Sequence, residues 1–361
     1  MRFPAIIKQT RPSFRLIILG LILLPADGRA EDEISLVAGE PVVLNHPQIN
    51  KSVGNPVHCL TFLKRDSLLL ATGATSGVLI WDVATGELKQ TLEVDERAVD
   101  TLALDPRGTR LVAGGASGAI KVFDARTFNP LFTLGPTPGA VRGLSISPDG
   151  KLLATASPNG QLGKNDPHFG VNLWDLATGK LLRTLAHSPP TFGTTVLAFA
   201  SDGKQIVSAQ DRTFRVLDVG TGETVKTIER PGLPRSLGSF AISNDGKHLV
   251  TGVFEPTVRL WSTENWTEVR KWSAHDEEPP PRCGVAKVNF SPDGRFVLSG
   301  GMDGMVSVWD ASSGRRLLKL DATGDVSKGW ITGVAMTPDG GWLAASHYGG
   351  SATIWRITQS K

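Results

Sequence analysis

Short apolar runs alternate with polar turns along most of this chain. Residues 291–320 show the pattern: a Ser-Pro-Asp-Gly turn, an apolar run, a glycine-containing turn, and a second apolar run that ends in Trp309-Asp310. Another turn and a third run follow. Proline presets φ in such a turn, and Asp-Gly supplies a side-chain cap and a residue that tolerates positive φ. The runs are rich in Val, Ile, Leu and Ala, which suits strands buried on both faces. The pattern therefore predicts short antiparallel strands joined by tight turns.

The pattern recurs about seven times between Val57 and the C-terminus. In each repeat the second apolar run ends in one residue ahead of a turn, and these residues are Trp81, Phe123, Trp174, Leu217, Trp261, Trp309 and Trp355. Their spacings of 42, 51, 43, 44, 48 and 46 residues match the period of a four-stranded propeller blade. The third repeat is longer than the others, which indicates an insertion at 157–170. We therefore predict an all-β, seven-bladed propeller of four-stranded antiparallel blades over residues 57–357.

The last repeat ends near the C-terminus and lacks a fourth strand. The lead-in at residues 31–56 contains a stretch, Pro41–Leu44, that is similar to the fourth strand of the other repeats. We predict that this stretch completes the last blade, because such closure removes two exposed sheet edges. Residues 358–361 would then form a short tail. The alternative is a linker beside an open final blade.

Trp-Asp pairs stand at 81–82, 174–175 and 309–310. On these residues and the repeat period, the chain resembles the WD-repeat β-propellers over roughly residues 40–357. The resemblance implies that the tryptophans pack between blades and that the aspartates cap turns. It also implies a hydrogen-bonded set of His, Ser, Asp and Trp, which only the sixth repeat can assemble. These structural roles fall to Trp81, Asp82, Trp174, Asp175, His275, Ser299, Asp303, Trp309, Asp310 and Trp355.

The N-terminus has the features of a secretory signal peptide. Basic residues precede an apolar core from Leu16 to Leu24, and Gly28 and Ala30 stand before an acidic run. We predict cleavage near Ala30 and export to the periplasm or the exterior. The alternative is an uncleaved membrane anchor, for which the core is short of the about 20 residues that span a bilayer. Without residues 1–30 the charge is close to neutral and no basic run is present, so a nucleic-acid partner is not expected.

Candidate functional residues lie on the connections that follow the second and fourth strands of the blades. These connections, which include 157–170, 187–193, 229–235 and 274–284, are irregular and share one end of the propeller, named here the irregular face. Aromatic residues and arginine are favoured anchors of protein interfaces. The candidate partner-binding residues are Asp166, His168, Phe169, Phe192, Arg235, Phe254, Asp276, Arg282, Trp330 and Tyr348. A solvated loop, or a surface connection stiffened by proline, would explain several of them equally well.

Catalytic and metal-binding patterns are scarce in the sequence. Asp166 and His168 are two possible ligands, which do not make a metal site, and no nucleophile, zinc or phosphate-loop motif is present. No cofactor is expected. We therefore predict a non-enzymatic scaffold that binds a protein or peptide on the irregular face. The alternative is a propeller enzyme, or a protein that binds a carbohydrate or small ligand, at the mouth of the central channel. That role would need inward-facing His or carboxylate side chains converging from several blades, and the first strands are expected to supply few.

Overall fold

Antiparallel strands dominate the computed structural model. It describes residues 34–47, 56–64, 68–75, 77–94, 98–135, 137, 139–157, 170–186, 196–210, 213–229, 237–253, 255–274, 284–323 and 329–360. The strands within these ranges, in chain order, are β1 (Ser35–Ala38), β2 (Val42–Asn45), β3 (Val57–Lys64), β4 (Leu68–Ala74), β5 (Gly77–Asp82), β6 (Leu88–Leu92), β7 (Val99–Leu104), β8 (Arg110–Gly115), β9 (Ile120–Asp124), β10 (Pro130–Leu134), β11 (Gly143–Ile146), β12 (Leu152–Ser157), β13 (Gly170–Asp175), β14 (Leu181–Ala186), β15 (Val196–Phe199), β16 (Gln205–Gln210), β17 (Thr213–Asp218), β18 (Thr224–Glu229), β19 (Leu237–Ile242), β20 (His248–Val253), β21 (Thr257–Ser262), β22 (Glu268–Ser273), β23 (Val285–Phe290), β24 (Phe296–Gly301), β25 (Met305–Asp310), β26 (Arg316–Asp321), β27 (Ile331–Met336), β28 (Trp342–His347) and β29 (Ser351–Ser360). None of the described residues forms a helix that is long and apolar enough to cross a membrane.

The strands form seven sheets, one for each predicted blade. Six sheets contain four consecutive strands, and the seventh combines β27, β28 and β29 with the N-terminal strands β1 and β2. The first strands of the blades contact one another in sequence around a ring, and β27 of the last blade contacts β3 of the first. The predicted seven-bladed propeller of four-stranded antiparallel blades is therefore confirmed. The first strands, here called the inner strands, surround the central channel.

Apolar side chains form the core between adjacent blades. Trp309 of the sixth blade belongs to one buried cluster with Val250 and Leu260 of the fifth, and Trp355 of the seventh belongs to another with Val308 of the sixth. Because each sheet is covered on both faces by its neighbours, the middle strands are almost continuously buried, as in the run Leu68–Ala74. The outer strands are mostly exposed and complete the rim.

The N-terminal segment closes the ring, as predicted. In β2, Val42 pairs with Ile354 and Asn45 pairs with Ser351, so this strand takes the fourth position of the last blade. The structure also contains β1, which was not predicted and which pairs with residues 357–360 at the end of β29. Residues 358–360, expected to be a tail, therefore belong to a ten-residue strand. The apolar residue Leu36 is buried between blades six and seven, which explains why this extension is held in the sheet.

Candidate functional site

The aspartates that follow the blade tryptophans are bound to their own turns. The carboxylate of Asp82 accepts hydrogen bonds from the amides of Ala84 and Thr85 at 3.0 and 3.1 Å. Asp175 accepts the corresponding bonds from the amides of Ala177 and Thr178, at 3.0 and 2.7 Å. Asp310 accepts one from the amide of Ser313 at 2.7 Å. The hydrogen bond from the Thr85 amide is the main cause of the lowered pKa of Asp82. These carboxylates stabilise hairpin turns, at the end of the propeller opposite to the irregular face.

Several blade tryptophans are buried and donate hydrogen bonds to hydroxyl groups on the second strand of the same blade. The indole N–H of Trp174 donates to the Thr155 hydroxyl at 3.0 Å, and that of Trp309 donates to Ser299 at 2.9 Å. Asp303 accepts a bond from the amide of Met305 at 3.0 Å, whereas His275 lies outside the described residues. Trp355 is buried as well, at 2% exposure.

The first blade contains a histidine set that the sequence did not predict. Nε2 of His46 lies 3.0 Å from the hydroxyl of Thr72, which accepts the indole N–H of Trp81 at 2.8 Å. This set lacks the aspartate, since Ser76 follows Thr72 at the distance at which Asp303 follows Ser299. The assignment of the full His, Ser, Asp and Trp set to the sixth repeat alone therefore stays a prediction. His46 follows the closing strand and belongs to the seam between the last blade and the first. His46 precedes Thr72 by nearly the same number of residues as His275 precedes Ser299. This similar spacing was the signal in the sequence that could have revealed the set.

The structure describes two of the ten candidate partner-binding residues. Trp330 directly precedes β27 and Tyr348 directly follows β28, so both lie on the irregular face of the last blade. The two residues are joined by a backbone hydrogen bond of 3.0 Å, and their side chains are 46% and 57% exposed. The other eight candidates, which lie outside the described residues, are Asp166, His168, Phe169, Phe192, Arg235, Phe254, Asp276 and Arg282.

Charged side chains of several blades converge near these aromatic residues. The pairing of β3 shifts register between Val57 and Cys59, and that of β7 shifts between Val99 and Thr101. His58 and Asp100 are therefore the extra residues of two β-bulges, which lie at the start of the inner strands and redirect side chains out of the sheet. Nδ1 of His58 lies 3.9 Å from a carboxylate oxygen of Asp100. The His58 ring also stands edge-on to the ring of Tyr348, with 6.3 Å between their centroids.

Two cations complete this group. Arg142 directly precedes β11 and is exposed, and Lys287 lies on β23 and is half-buried. The charges of Arg142 and Lys287 both act on His58 and on Asp100, so the four side chains share one electrostatic environment. The residues come from the first, second, third and sixth blades, and the seventh blade separates the sixth from the first. We name His58, Asp100, Arg142 and Lys287 the mouth cluster.

Burial is the main cause of the pKa shifts of His58, Asp100 and Lys287. It lowers the pKa of His58, although Asp100 opposes this change, and it raises the pKa of Asp100 against the effect of His58. Burial also lowers the pKa of Lys287. The neighbouring Cys59 thiol has its pKa raised to about 12 by burial, so it is protonated at neutral pH and is a poor nucleophile.

The inner strands were expected to supply few His or carboxylate side chains to the channel mouth. The mouth cluster contains one of each, His58 and Asp100, together with two cations. Each of four blades contributes a single charged residue, which is inconspicuous in its own repeat. The ring closure, rather than any local motif, brings the four residues together. The described part of the chain contains no group of three or more His, Cys, Asp or Glu residues that could hold a metal ion.

Comparison with known proteins identifies the repeats. The family model described as WD domain, G-beta repeat matches residues 86–124, 128–162, 266–310 and 318–356. The chain therefore contains WD40 repeats within its seven-bladed propeller. Among similar proteins, autophagy-related protein 16 of Arabidopsis thaliana is 24% identical over 190 residues, which cover 52% of this chain and 35% of that protein.

Two further relatives show the same degree of similarity. The target of rapamycin complex subunit LST8 of Mus musculus is 22% identical over 191 residues, covering 52% of this chain and 54% of the relative. Protein tipD of Dictyostelium discoideum is 22% identical over 267 residues, which cover 73% of this chain and 41% of that protein. The chain thus spans between about a third and somewhat more than half of the length of these relatives.

Proposed function

We propose that this WD40-repeat propeller is a non-enzymatic scaffold that binds a protein or peptide segment on its irregular face, at the mouth of the central channel. The observation that carries the proposal is the pair of Trp330 and Tyr348 beside the mouth cluster. Both side chains are about half exposed although the rest of the blade is well packed. Large aromatic residues next to charged groups are typical of the energetic centre of protein interfaces.

The propeller supports such binding through rigidity. The ring is closed by strand pairing, so the connections at the channel mouth are held by seven packed blades. The binding surface is already ordered before a partner arrives, and this lowers the entropic cost of association. One of the similar proteins is named as a complex subunit, which agrees with a role in assembly.

A double substitution tests the binding site. Trp330→Ala with Tyr348→Ala should abolish crosslinking of the partner in the cells that make the protein, because it removes the exposed aromatic surface. A matched control is Leu131→Ala with Val225→Ala, which removes comparably exposed side chains from outer strands. Equal capture by the folded double variant, the control and the wild type would disprove this placement of the site.

We further propose that the protein acts outside the cytoplasm. The support is the order of basic, apolar and small residues over positions 1–30, which lie outside the described residues. Fractionation of the native cells with mass spectrometry of the N-terminus should find a mature chain that starts near Glu31 in the exported fraction. A chain with an intact N-terminus in the cytoplasmic fraction would contradict export.

A second candidate function is binding of a carbohydrate or another small ligand at the same mouth. The close approach of the His58 ring to Tyr348 favours it, because an aromatic wall beside polar groups suits a sugar ring. A glycan array probed with the wild type and with Tyr348→Ala distinguishes the two functions. Selective glycan binding that the substitution removes would favour this second function over the scaffold.

A further inference from the structure

The wall of the central channel is largely uncharged. Each inner strand contributes one partly exposed residue to this wall, two positions after the residue equivalent to Cys59 or Lys287. These residues are all small or polar, and they are Thr61, Ala103, Ser145, Ala198, Ala241, Asn289 and Ala335. Two of them bridge adjacent inner strands: the Asn289 amide donates to the Val334 carbonyl at 3.2 Å, and the Ser145 hydroxyl accepts the Phe199 amide at 3.0 Å. A charge in this wall therefore stands in an otherwise neutral surface.

Lys287 is the cation in the wall. Its ammonium group acts electrostatically on Cys59 and on His58 and Asp100, which belong to the first and second blades. Because Lys287 is on the sixth blade, these effects must act across the channel mouth. Lys287 is itself partly exposed and stands two residues before Asn289, so both side chains lie on the face of β23 that contributes to the channel wall.

The positive charge of Lys287 is only partly compensated. Cys59 is an uncharged thiol at neutral pH, and Asp100 is the carboxylate paired with His58 at 3.9 Å. Among the described residues, no carboxylate lies within salt-bridge distance of Lys287. Arg142 adds a second cation at the rim of the opening. Burial of an ammonium group without a close counter-ion is unfavourable, so an incoming anion would gain more there than at an exposed lysine.

The neighbouring surface adds a requirement for apolar contact. Tyr348 and Trp330 stand beside the mouth cluster, since the Tyr348 ring contacts His58 and the Trp330 carbonyl accepts the Tyr348 amide. A ligand that meets both surfaces carries an anionic group next to an apolar or aromatic one. Asp100 shares the electrostatic environment of Lys287 and disfavours a dianion, so a single carboxylate fits better than a phosphate.

We propose that the partner inserts a carboxylate into the channel mouth, where it pairs with Lys287, and lays an adjacent apolar side chain against Trp330 and Tyr348. This inference rests on the proposed scaffold function and names the chemistry that its site recognises. The carboxylate belongs either to an Asp or Glu side chain within the partner segment or to its C-terminus. Both sources present the same group to the lysine.

Two synthetic libraries of random peptides test the proposal with the full chain as bait. One library has amidated C-termini, so its carboxylates are those of side chains, and the other has free C-termini. Bound peptides are sequenced, and their affinities are then measured by fluorescence anisotropy for the wild type, Lys287→Met, Lys287→Arg and Lys226→Met. The last substitution removes an exposed lysine from the outer strand β18 and serves as the matched control.

We expect enrichment of Asp or Glu at one position of the amidated library, or binding confined to the free C-termini. Lys287→Met should weaken binding by about tenfold or more, since a charge-assisted pair is lost, whereas Lys287→Arg should retain most of it. Lys226→Met should have no effect. If Lys287→Met fails to fold, replacing the enriched Glu or Asp of the peptide by its amide should cause the same loss with the wild type.

Each other outcome has a defined meaning. Peptides that bind without a carboxylate, or that bind Lys287→Met as tightly as the wild type, would overturn this inference but leave the scaffold function in place. Absence of any bound peptide in both libraries would overturn the peptide-binding function and this inference together.

Discussion

The buried His46 should make the closed ring sensitive to acid. Its side chain is only 4% exposed, Nε2 lies 3.0 Å from the Thr72 hydroxyl, and its ring centroid lies 5.3 Å from that of Trp81. Its backbone amide also donates to the carbonyl of Gly350 at 3.2 Å, so the residue joins the closing segment to the last blade. Burial, assisted by the nearby His347, lowers the pKa of His46 from 6.5 to about 4.

The sign of the effect follows from proton linkage. The folded protein keeps His46 neutral, whereas the unfolded chain binds a proton at its ordinary pKa, so protonation favours unfolding. Stability is therefore complete above pH 6.5 and falls as the pH drops towards the folded pKa of about 4. For this pKa difference the free energy of unfolding should decrease by roughly 2.5 kcal/mol between about pH 7 and about pH 4.5. Such a loss is a large part of the 5–15 kcal/mol that is typical of a folded domain.

The substitution His46→Gln tests this reasoning. Glutamine keeps a hydrogen-bonding group near Thr72 but does not titrate, so the variant should lose roughly 2.5 kcal/mol less than the wild type over the same pH interval. Urea unfolding followed by tryptophan fluorescence at both pH values measures the difference. Val43→Gln, an exposed substitution on the same closing strand, is the control and should follow the wild type. An equal acid loss in His46→Gln and the wild type would refute the role of His46.

Three substitutions probe the scaffold, each by urea unfolding. Trp309→Phe removes the hydrogen bond from the indole to the buried Ser299 hydroxyl and should cost about 1–3 kcal/mol, and an unchanged free energy of unfolding would contradict this role. Asp175→Ala should cost about 1 kcal/mol because two turn amides lose their acceptor, whereas Asp175→Asn should cost less; equal costs would disagree with capping. Leu36→Ala should cost about 2–3 kcal/mol if β1 is part of the core, and the exposed Val37→Ala should be neutral.

The repeat made most of the fold predictable. Turn chemistry and a regular spacing of residues such as Trp174 and Trp309 define blades because each blade must pack between two similar neighbours. The closing strand was predictable for the same reason, since an incomplete last blade requires a fourth strand. The strand β1 was not, because a four-residue segment with Leu36 as its buried residue carries too little local pattern.

The site was less predictable because it is formed by the ring. His58, Asp100 and Lys287 lie in three different repeats, and each looks like an isolated charge near the start of an inner strand. Only the closure of the propeller brings them to one opening. His46 was missed for a related reason, since a residue of the lead-in completes a set in the first blade after the chain has gone once around the ring.

The most direct test of the proposed binding site is photocrosslinking from single positions in the native cells. The photoreactive residue benzoylphenylalanine replaces Tyr348 at the channel mouth or Val225, an equally exposed residue of the outer strand β18. We expect one discrete crosslinked partner from position 348 and none from position 225. A discrete partner from position 225 alone, or the same products from both positions, would contradict binding at the channel mouth.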